Sequence, residues 1–125
     1  MDIGMGVHGE AGLQRGPLAS ADEVADLLLD RILAELRPTG NESVFVLLNT
    51  LGATPSMEAY VVLRRVLARL SAIGVDVHRS RLGEFVTSLE MSGLSLTLMA
   101  LDDELRRLID APGRALAMPA LEAPW

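Results

Sequence analysis

The sequence contains no cysteine and only two histidines, His8 and His78. A chain without cysteine has no disulfide framework, no thiolate nucleophile and no cysteine-based zinc site. Two histidines are also too few for a histidine-rich metal site. We therefore expect no metal site in this chain.

Aromatic residues make up 3% of the 125 residues, whereas hydrophobic residues make up 50%. The core of this single-domain chain must therefore be aliphatic. The net charge is −6, and no basic cluster interleaves with aromatic residues, which argues against a nucleic-acid or anionic membrane surface. We recognise neither a signal peptide nor an apolar run long enough to span a bilayer, and we expect a cytoplasmic protein.

A glycine-rich run at residues 4–12 holds four glycines around His8. Glycine permits positive φ angles and lets the backbone approach a ligand without a Cβ in the way, and histidine changes charge near neutral pH. The run therefore predicts a small-molecule site. Its glycine spacing at positions 4, 6 and 9 formally matches the dinucleotide-binding pattern, but no full strand precedes it and no helix follows directly, so we reject that interpretation.

Hydrophobic periodicity predicts the element order β-α-β-α-β-β-α. The predicted strands cover residues 2–8, 44–48, 75–78 and 94–98. The first predicted helix begins at a capping box of Ser20 and Glu23 and ends at 38–41. The second runs from near Ser56 to Gly74, and the third from Asp102 to 112–113. His78 falls on the polar phase of its strand, which predicts a surface position. The last helix is expected to bury Leu105, Leu108 and Ile109.

Two charged clusters lie on the predicted helices, and we interpret both as solvated faces. The acidic one comprises Asp22, Glu23, Asp26 and Asp30, and the basic one Arg64, Arg65 and Arg69.

The loop after the second strand supplies further polar candidates, since α/β proteins place ligands at the carboxyl ends of strands. They are Asn49, Thr50 and Thr54. Ordinary loop chemistry, with Thr54 as a helix N-cap, explains them equally well.

These elements predict a two-layer α/β sandwich, a mixed sheet with helices on one face. The first three strands, joined by helices, should be parallel with right-handed crossovers, and the last two should be antiparallel neighbours. The strand at 44–48 is apolar at every position and needs cover on both faces. We therefore expect another subunit, or further chain, against the second face.

Five segments together resemble one family, the dihydroxyacetone (glycerone) kinases, in the C-terminal part of their substrate-binding K domain. The segments, in order, are Asp2-Ile3-Gly4-Met5-Gly6-Val7-His8-Gly9-Glu10, Arg15-Gly16-Pro17, Leu48-Asn49-x-Leu51-Gly52-Ala53-Thr54-Pro55, Thr87-Ser88-Leu89-Glu90-Met91-x-Gly93, and Leu101-Asp102-Asp103-Glu104-Leu105 with Asp110-Ala111-Pro112. The resemblance covers residues 1–112 and implies the second domain of the K-domain fold. Residues 113–125 are an Ala/Pro-rich tail that we expect to be irregular.

The resemblance implies that His8 attacks the ketone carbon of dihydroxyacetone and holds the substrate as a covalent hemiaminal for phosphorylation. Gly6, Gly9 and Glu10 are the neighbouring candidates for the substrate site, and Glu10 is a candidate partner of the His8 ring. The family uses ATP with Mg²⁺, or a phosphotransferase-system phosphodonor, on a separate L domain or subunit. This chain is accordingly expected to bind no cofactor itself, and a homodimer is expected.

The departures from the family pattern leave the enzyme question open. Ala11 stands where the family usually has proline, and Glu90 where it has aspartate. No residue matches the family's N-terminal catalytic half or its nucleotide-binding domain, so no catalytic residue is assigned. The alternatives are a non-catalytic regulatory or interaction module, and a carrier of small molecules on the related fatty-acid-binding fold.

Overall fold

The computed structural model describes residues 1–6, 8, 10–38 and 43–113. The elements in chain order are β1 (Asp2–Ile3), β2 (Gln14–Arg15), α1 (Ala21–Glu35), β3 (Ser43–Gly52), α2 (Ser56–Ala72), β4 (Asp76–Gly83), β5 (Ser92–Leu101) and α3 (Asp103–Asp110). Gly9, the predicted turn at 39–41 and all of the predicted tail except Gly113 lie outside the described residues.

The main sheet has three strands in the order β4-β3-β5. β3 pairs in parallel with β4, to which α2 connects it, and antiparallel with β5. The prediction that the last two strands are neighbours is therefore wrong, because the apolar strand β3 takes the central position between them. In this position both hydrogen-bonding edges of β3 are paired, and most of its ten residues are buried.

The predicted strand at 2–8 is wrong beyond its first residues. β1 contains only Asp2 and Ile3 and pairs with β2 in a separate antiparallel ribbon. Gly4 follows with a φ of +73°, a conformation that ends an extended strand and that glycine adopts without strain. The described residues of the glycine-rich run, 4–6, 8 and 10–12, therefore lie in a loop of the ribbon rather than at a strand edge of the main sheet.

The aliphatic core lies between the main sheet and two helices. α2 packs directly on the sheet, and α1 packs on α2. The fully buried members at the centre of this core are Ala25, Leu29, Val44, Val46, Leu48, Ala59, Val66 and Leu70. A mixed sheet with α1 and α2 on one face agrees with the predicted α/β class.

The acidic and basic clusters pair with each other, which corrects the prediction that both faces are only solvated. Arg64 pairs with Asp22, Arg65 bonds Asp26 through two nitrogens at 2.9 and 2.7 Å, and Arg69 reaches both Asp26 and Asp30. Hydrogen bonds, first from Arg65 and then from Arg69, lower the pKa of Asp26 to about 2. Together they outweigh the desolvation of the carboxyl, which by itself would raise that pKa. These ion pairs fix the register between α1 and α2. The spacing of charges along one helix could not have shown which other helix carries their partners.

α3 buries no residue, so the predicted apolar face is wrong. Leu105 is 36% exposed and Leu108 53%. The helix is instead held by polar contacts: the Nε of Arg106 donates to the Oγ of Ser43 at 2.9 Å, and Asp110 pairs with His78 and Arg79. Ser43 alternates with Val44 along β3, so α3 contacts the sheet face opposite the core.

Across the described ranges, no helix is long and apolar enough to cross a membrane. In the same part of the chain, no group of three or more histidine, aspartate or glutamate side chains is placed to hold a metal ion.

Candidate functional site

The glycine-rich loop projects from the ribbon of β1 and β2. The ribbon is closed by backbone bonds from Leu13 N–H to the Ile3 carbonyl at 2.7 Å and from Gly16 N–H to the Met1 carbonyl at 3.0 Å. An ion pair of Arg15 Nε with Asp2 Oδ1 at 3.0 Å crosses the two strands. These contacts hold both ends of residues 4–12, so the loop leaves the ribbon at a defined point.

Glu10 organises the tip of this loop. Its backbone carbonyl accepts from Gly6 N–H at 3.2 Å, and its Oε2 accepts from the backbone N–H of His8 at 3.1 Å. A Cβ on Gly6 would lie 1.9 Å from that Oε2. A side chain at position 6 would therefore displace the Glu10 carboxylate from this place.

The His8 ring stands at the surface of the loop, with 90% of the side chain exposed. Its Nδ1 lies 3.7 Å from Oε1 of Glu10, whose side chain is 64% exposed. That separation is longer than a hydrogen bond but short enough for electrostatic attraction. The structure thus brings together three of the four predicted site residues, Gly6, His8 and Glu10, and Gly9 lies outside the described residues.

A shallow cavity of about 320 Å³ lies at the foot of the ribbon, between β1, β2 and the start of α1. Neither His8 nor Glu10 lines it. The imidazole is thus presented on an open surface, where its nitrogens are accessible to a reactant.

The second group of candidates has structural contacts instead: Asn49 bonds the loop at 84–91, Thr54 bonds β5, and Thr50 is buried in β3. Asn49 donates from Nδ2 to the Val86 carbonyl at 2.8 Å, and its Oδ1 accepts from the N–H groups of Phe85 and Val86. The Thr54 hydroxyl accepts from Gly93 N–H at 2.7 Å, so the predicted N-cap role is wrong and Pro55 occupies that position. These contacts favour the interpretation as loop chemistry.

The pairing of His78 with Asp110 was missed by the sequence analysis. His78 is exposed, as predicted, and its Nε2 lies 2.9 Å from Oδ2 of Asp110, whose Oδ1 is 2.9 Å from Arg79. The register between β3 and β4 shifts at this point, leaving His78 without a partner on β3. Such a bulge lets neighbouring side chains share one target, and no sequence pattern identified it.

The comparisons with known proteins point to one family. The Dak1 domain model matches residues 1–117. The chain is 43% identical over 112 residues to the dihydroxyacetone-binding subunit DhaK of the PTS-dependent dihydroxyacetone kinase 2 of Listeria innocua, covering 90% of this chain and 34% of that protein. It is 46% identical over 131 residues to an L-erythrulose 1-kinase of Mycolicibacterium smegmatis, covering 98% of this chain and 23% of that one.

Among solved structures, the fold is similar to the dihydroxyacetone kinase operon co-activator Dha-DhaQ. The TM-score is 0.79 with 30% identity, covering 87% of this chain and 34% of the other. The chain thus spans about a third or less of the length of these three proteins. With the Dak1 match extending over almost all of its residues, the chain belongs to the Dak1 domain family.

Proposed function

We propose that this chain is the part of a dihydroxyacetone kinase K domain that anchors the substrate, with His8 holding dihydroxyacetone as a hemiaminal. The observation that carries the proposal is the exposed His8 ring, on a loop in which the Glu10 carboxylate accepts a hydrogen bond from the His8 backbone N–H. Gly6 serves by leaving room for the Glu10 carboxylate, and Gly9 is included in the proposed site from the sequence motif alone. The names of the Listeria and Mycolicibacterium relatives support a ketose as the ligand.

The chemistry follows from the imidazole itself. The nitrogen that carries the lone pair attacks the ketone carbon, and the carbonyl oxygen becomes an alkoxide that takes up a proton. The other ring nitrogen gives up its proton, so the net change is the addition of N–H across C=O, with no atom lost. Glycerol has no carbonyl carbon, so it is excluded by reactivity rather than by fit.

We propose that the other groups needed for the reaction lie outside this chain. Small ligands are normally held in concave sites, whereas the His8 side chain is 90% exposed. We propose that the remainder of a longer K domain encloses the substrate. A nucleotide-binding L subunit, with ATP and Mg²⁺ or a phosphotransferase-system phosphodonor, supplies the phosphoryl group.

The same proposal includes the assembly and location of the protein. Residues 1–112 form the folded part and 113–125 a tail, the protein is cytoplasmic, and it forms a homodimer. Leu47 alternates with the core residues Val46 and Leu48 and is only partly buried, so a second subunit would contact the sheet face on which it lies.

The test is native mass spectrometry of the chain with dihydroxyacetone, with L-erythrulose and with glycerol. We expect a gain of one intact ketose with either ketone and none with glycerol. His8→Ala should abolish the gain, and His78→Ala is the matched control that should keep it. A folded protein that shows no gain, or one whose gain survives His8→Ala, would refute the anchoring role.

A second function, a ligand-sensing regulatory module, is favoured by the likeness to the operon co-activator. Such a module would bind the ketose by the same loop without passing it to a kinase reaction. The discriminating measurement is formation of dihydroxyacetone phosphate when the chain is mixed with a nucleotide-binding subunit and ATP. Product that depends on His8 supports the kinase function and contradicts the regulatory one.

A further inference from the structure

We infer that residues 114–119, the first half of the C-terminal tail, dock in an open cavity beside β4 and cover the edge of the aliphatic core. The inference goes beyond the proposed function, because it concerns neither His8 nor a ketose. It also concerns a different surface from the one proposed for a second subunit, since the cavity lies on the side of the sheet that α2 covers.

The cavity has a volume of about 660 Å³ and lies between the end of α2 and the first half of β4. Its apolar lining residues are Leu67, Val75 and Val77, each of which is only partly buried and packs against the core. Ser71 and Ser80, which are exposed, also line it. The core is therefore open on this side, and an apolar occupant would remove the three apolar side chains from water.

The strand β4 also has a free backbone edge at this place. Among the described strands, β4 pairs only with β3 and is the last in the order of the main sheet. An edge strand presents unpaired N–H and C=O groups, and proteins commonly cover such an edge with another segment. An extended segment with one apolar face would satisfy both the strand edge and the apolar lining.

The helix α3 brings the tail to the cavity. After β5, α3 crosses the sheet face opposite the core, where Arg106 donates to Ser43 of β3. At the end of the helix, Asp110 lies 2.9 Å from both His78 and Arg79 of β4. These two β4 residues line the cavity, so the last residue of α3 is held at its rim.

The chain leaves α3 in an extended conformation and has the length that docking needs. Ala111 has a φ of −62° and a ψ of 140°, as is typical of a residue that precedes a proline. The cavity follows β4 from Asp76 to Ser80, a length of roughly 17 Å at the rise of a strand. Residues 111–116 in extended form span about 20 Å, which is enough for residues 114–119 to lie along the cavity.

The sequence of the tail fits an apolar cavity. Ten of the twelve residues 114–125 are apolar, and only Arg114 and Glu122 are charged. Such a composition is unlike that of the polar, charged segments that stay solvated. Leu116 and Met118 share one face of an extended segment, because they are two positions apart, and alanine stands at 115 and 117. These two large side chains therefore face the apolar lining of the cavity.

The test is methyl NOE spectroscopy on the full chain, labelled at the methyl groups of leucine, valine and methionine. We expect NOEs that join Leu116 and Met118 to the apolar lining of the cavity. A mixture of labelled and unlabelled chains, measured with isotope filtering, distinguishes contacts within one molecule from contacts with a second copy. Contacts within one molecule support the inference. The absence of these NOEs, or NOEs only between molecules, overturns it.

Leu116→Ser gives an independent readout by hydrogen exchange. We expect the amide protons of residues 76–80 to exchange roughly tenfold faster in this variant, because a docked leucine side chain would no longer protect the strand edge. Leu18→Ser is the matched control, since Leu18 is 86% exposed and lies ahead of α1. It should leave the exchange at 76–80 unchanged. Equal exchange rates at these positions in the two variants would contradict docking of the tail.

Discussion

Asn49 ties the carboxyl end of β3 to the loop at 84–91, and its removal tests how that end of the main sheet is held. Asn49 is 5% exposed, and its side chain makes three hydrogen bonds to the loop at 84–91. Asn49→Ala removes all three at once and leaves two N–H groups and one carbonyl of Phe85 and Val86 without these partners.

The expected loss of stability follows from the three bonds. Each typically contributes about 0.5–1.5 kcal/mol to the free energy of unfolding. Val86 is 56% exposed, so water replaces part of the loss. We expect Asn49→Ala to lower the free energy of unfolding by about 2–4 kcal/mol, a large share of the roughly 5–15 kcal/mol typical of a domain.

Urea denaturation measures the global effect, and hydrogen exchange locates it. The amide protons of Phe85 and Val86 should exchange about 30-fold faster in the variant if about 2 kcal/mol of local protection is lost. Ser95→Ala is the control, because Ser95 is the exposed cross-strand neighbour of Asn49 on β5. It should cost less than about 0.5 kcal/mol.

Two outcomes would show the reasoning to be mistaken. One is a loss below about 0.5 kcal/mol, which is within the range of ordinary surface substitutions. The other is a larger loss with unchanged exchange at residues 85 and 86, since the destabilisation would then arise elsewhere in β3.

Two further predictions concern backbone and charge. Gly52 has a φ of +37°, and a Cβ there would lie 2.3 Å from the Ser88 carbonyl oxygen. Gly52→Ala should therefore lower the free energy of unfolding by about 1–3 kcal/mol, measured by thermal unfolding. Gly16→Ala is the control and should be near neutral, because a Cβ at Gly16 would have nothing within 4 Å. Asp26 has a folded pKa of about 2 against 3.8 when unfolded, because of Arg65, so its contribution to stability is complete above pH 3.8 and is lost as the pH falls towards 2. The melting temperature should therefore fall more steeply over that window than in Asp26→Asn, and equal slopes would contradict the assignment.

The sequence by itself determined the features that depend on nearby residues. The capping box was readable because Ser20 and Glu23 are three positions apart, and the structure contains both of its hydrogen bonds. Gly74 ends α2 with a φ of +76°, as predicted. His8 and Glu10 are also near neighbours in the sequence, but the sequence predicted a strand over 2–8, and only the structure showed that His8 lies beyond β1.

Only the tertiary structure decided the features that depend on distant partners. β3 separates the last two strands, which a list of elements in chain order does not reveal. The partners of Asn49 lie 36 and 37 positions away, and Asp110 lies 32 positions from His78. Periodicity reports which face of an element is apolar, but it carries no information about which element that face meets. Pairings of this kind follow from packing the whole chain around one core, and no single segment encodes them.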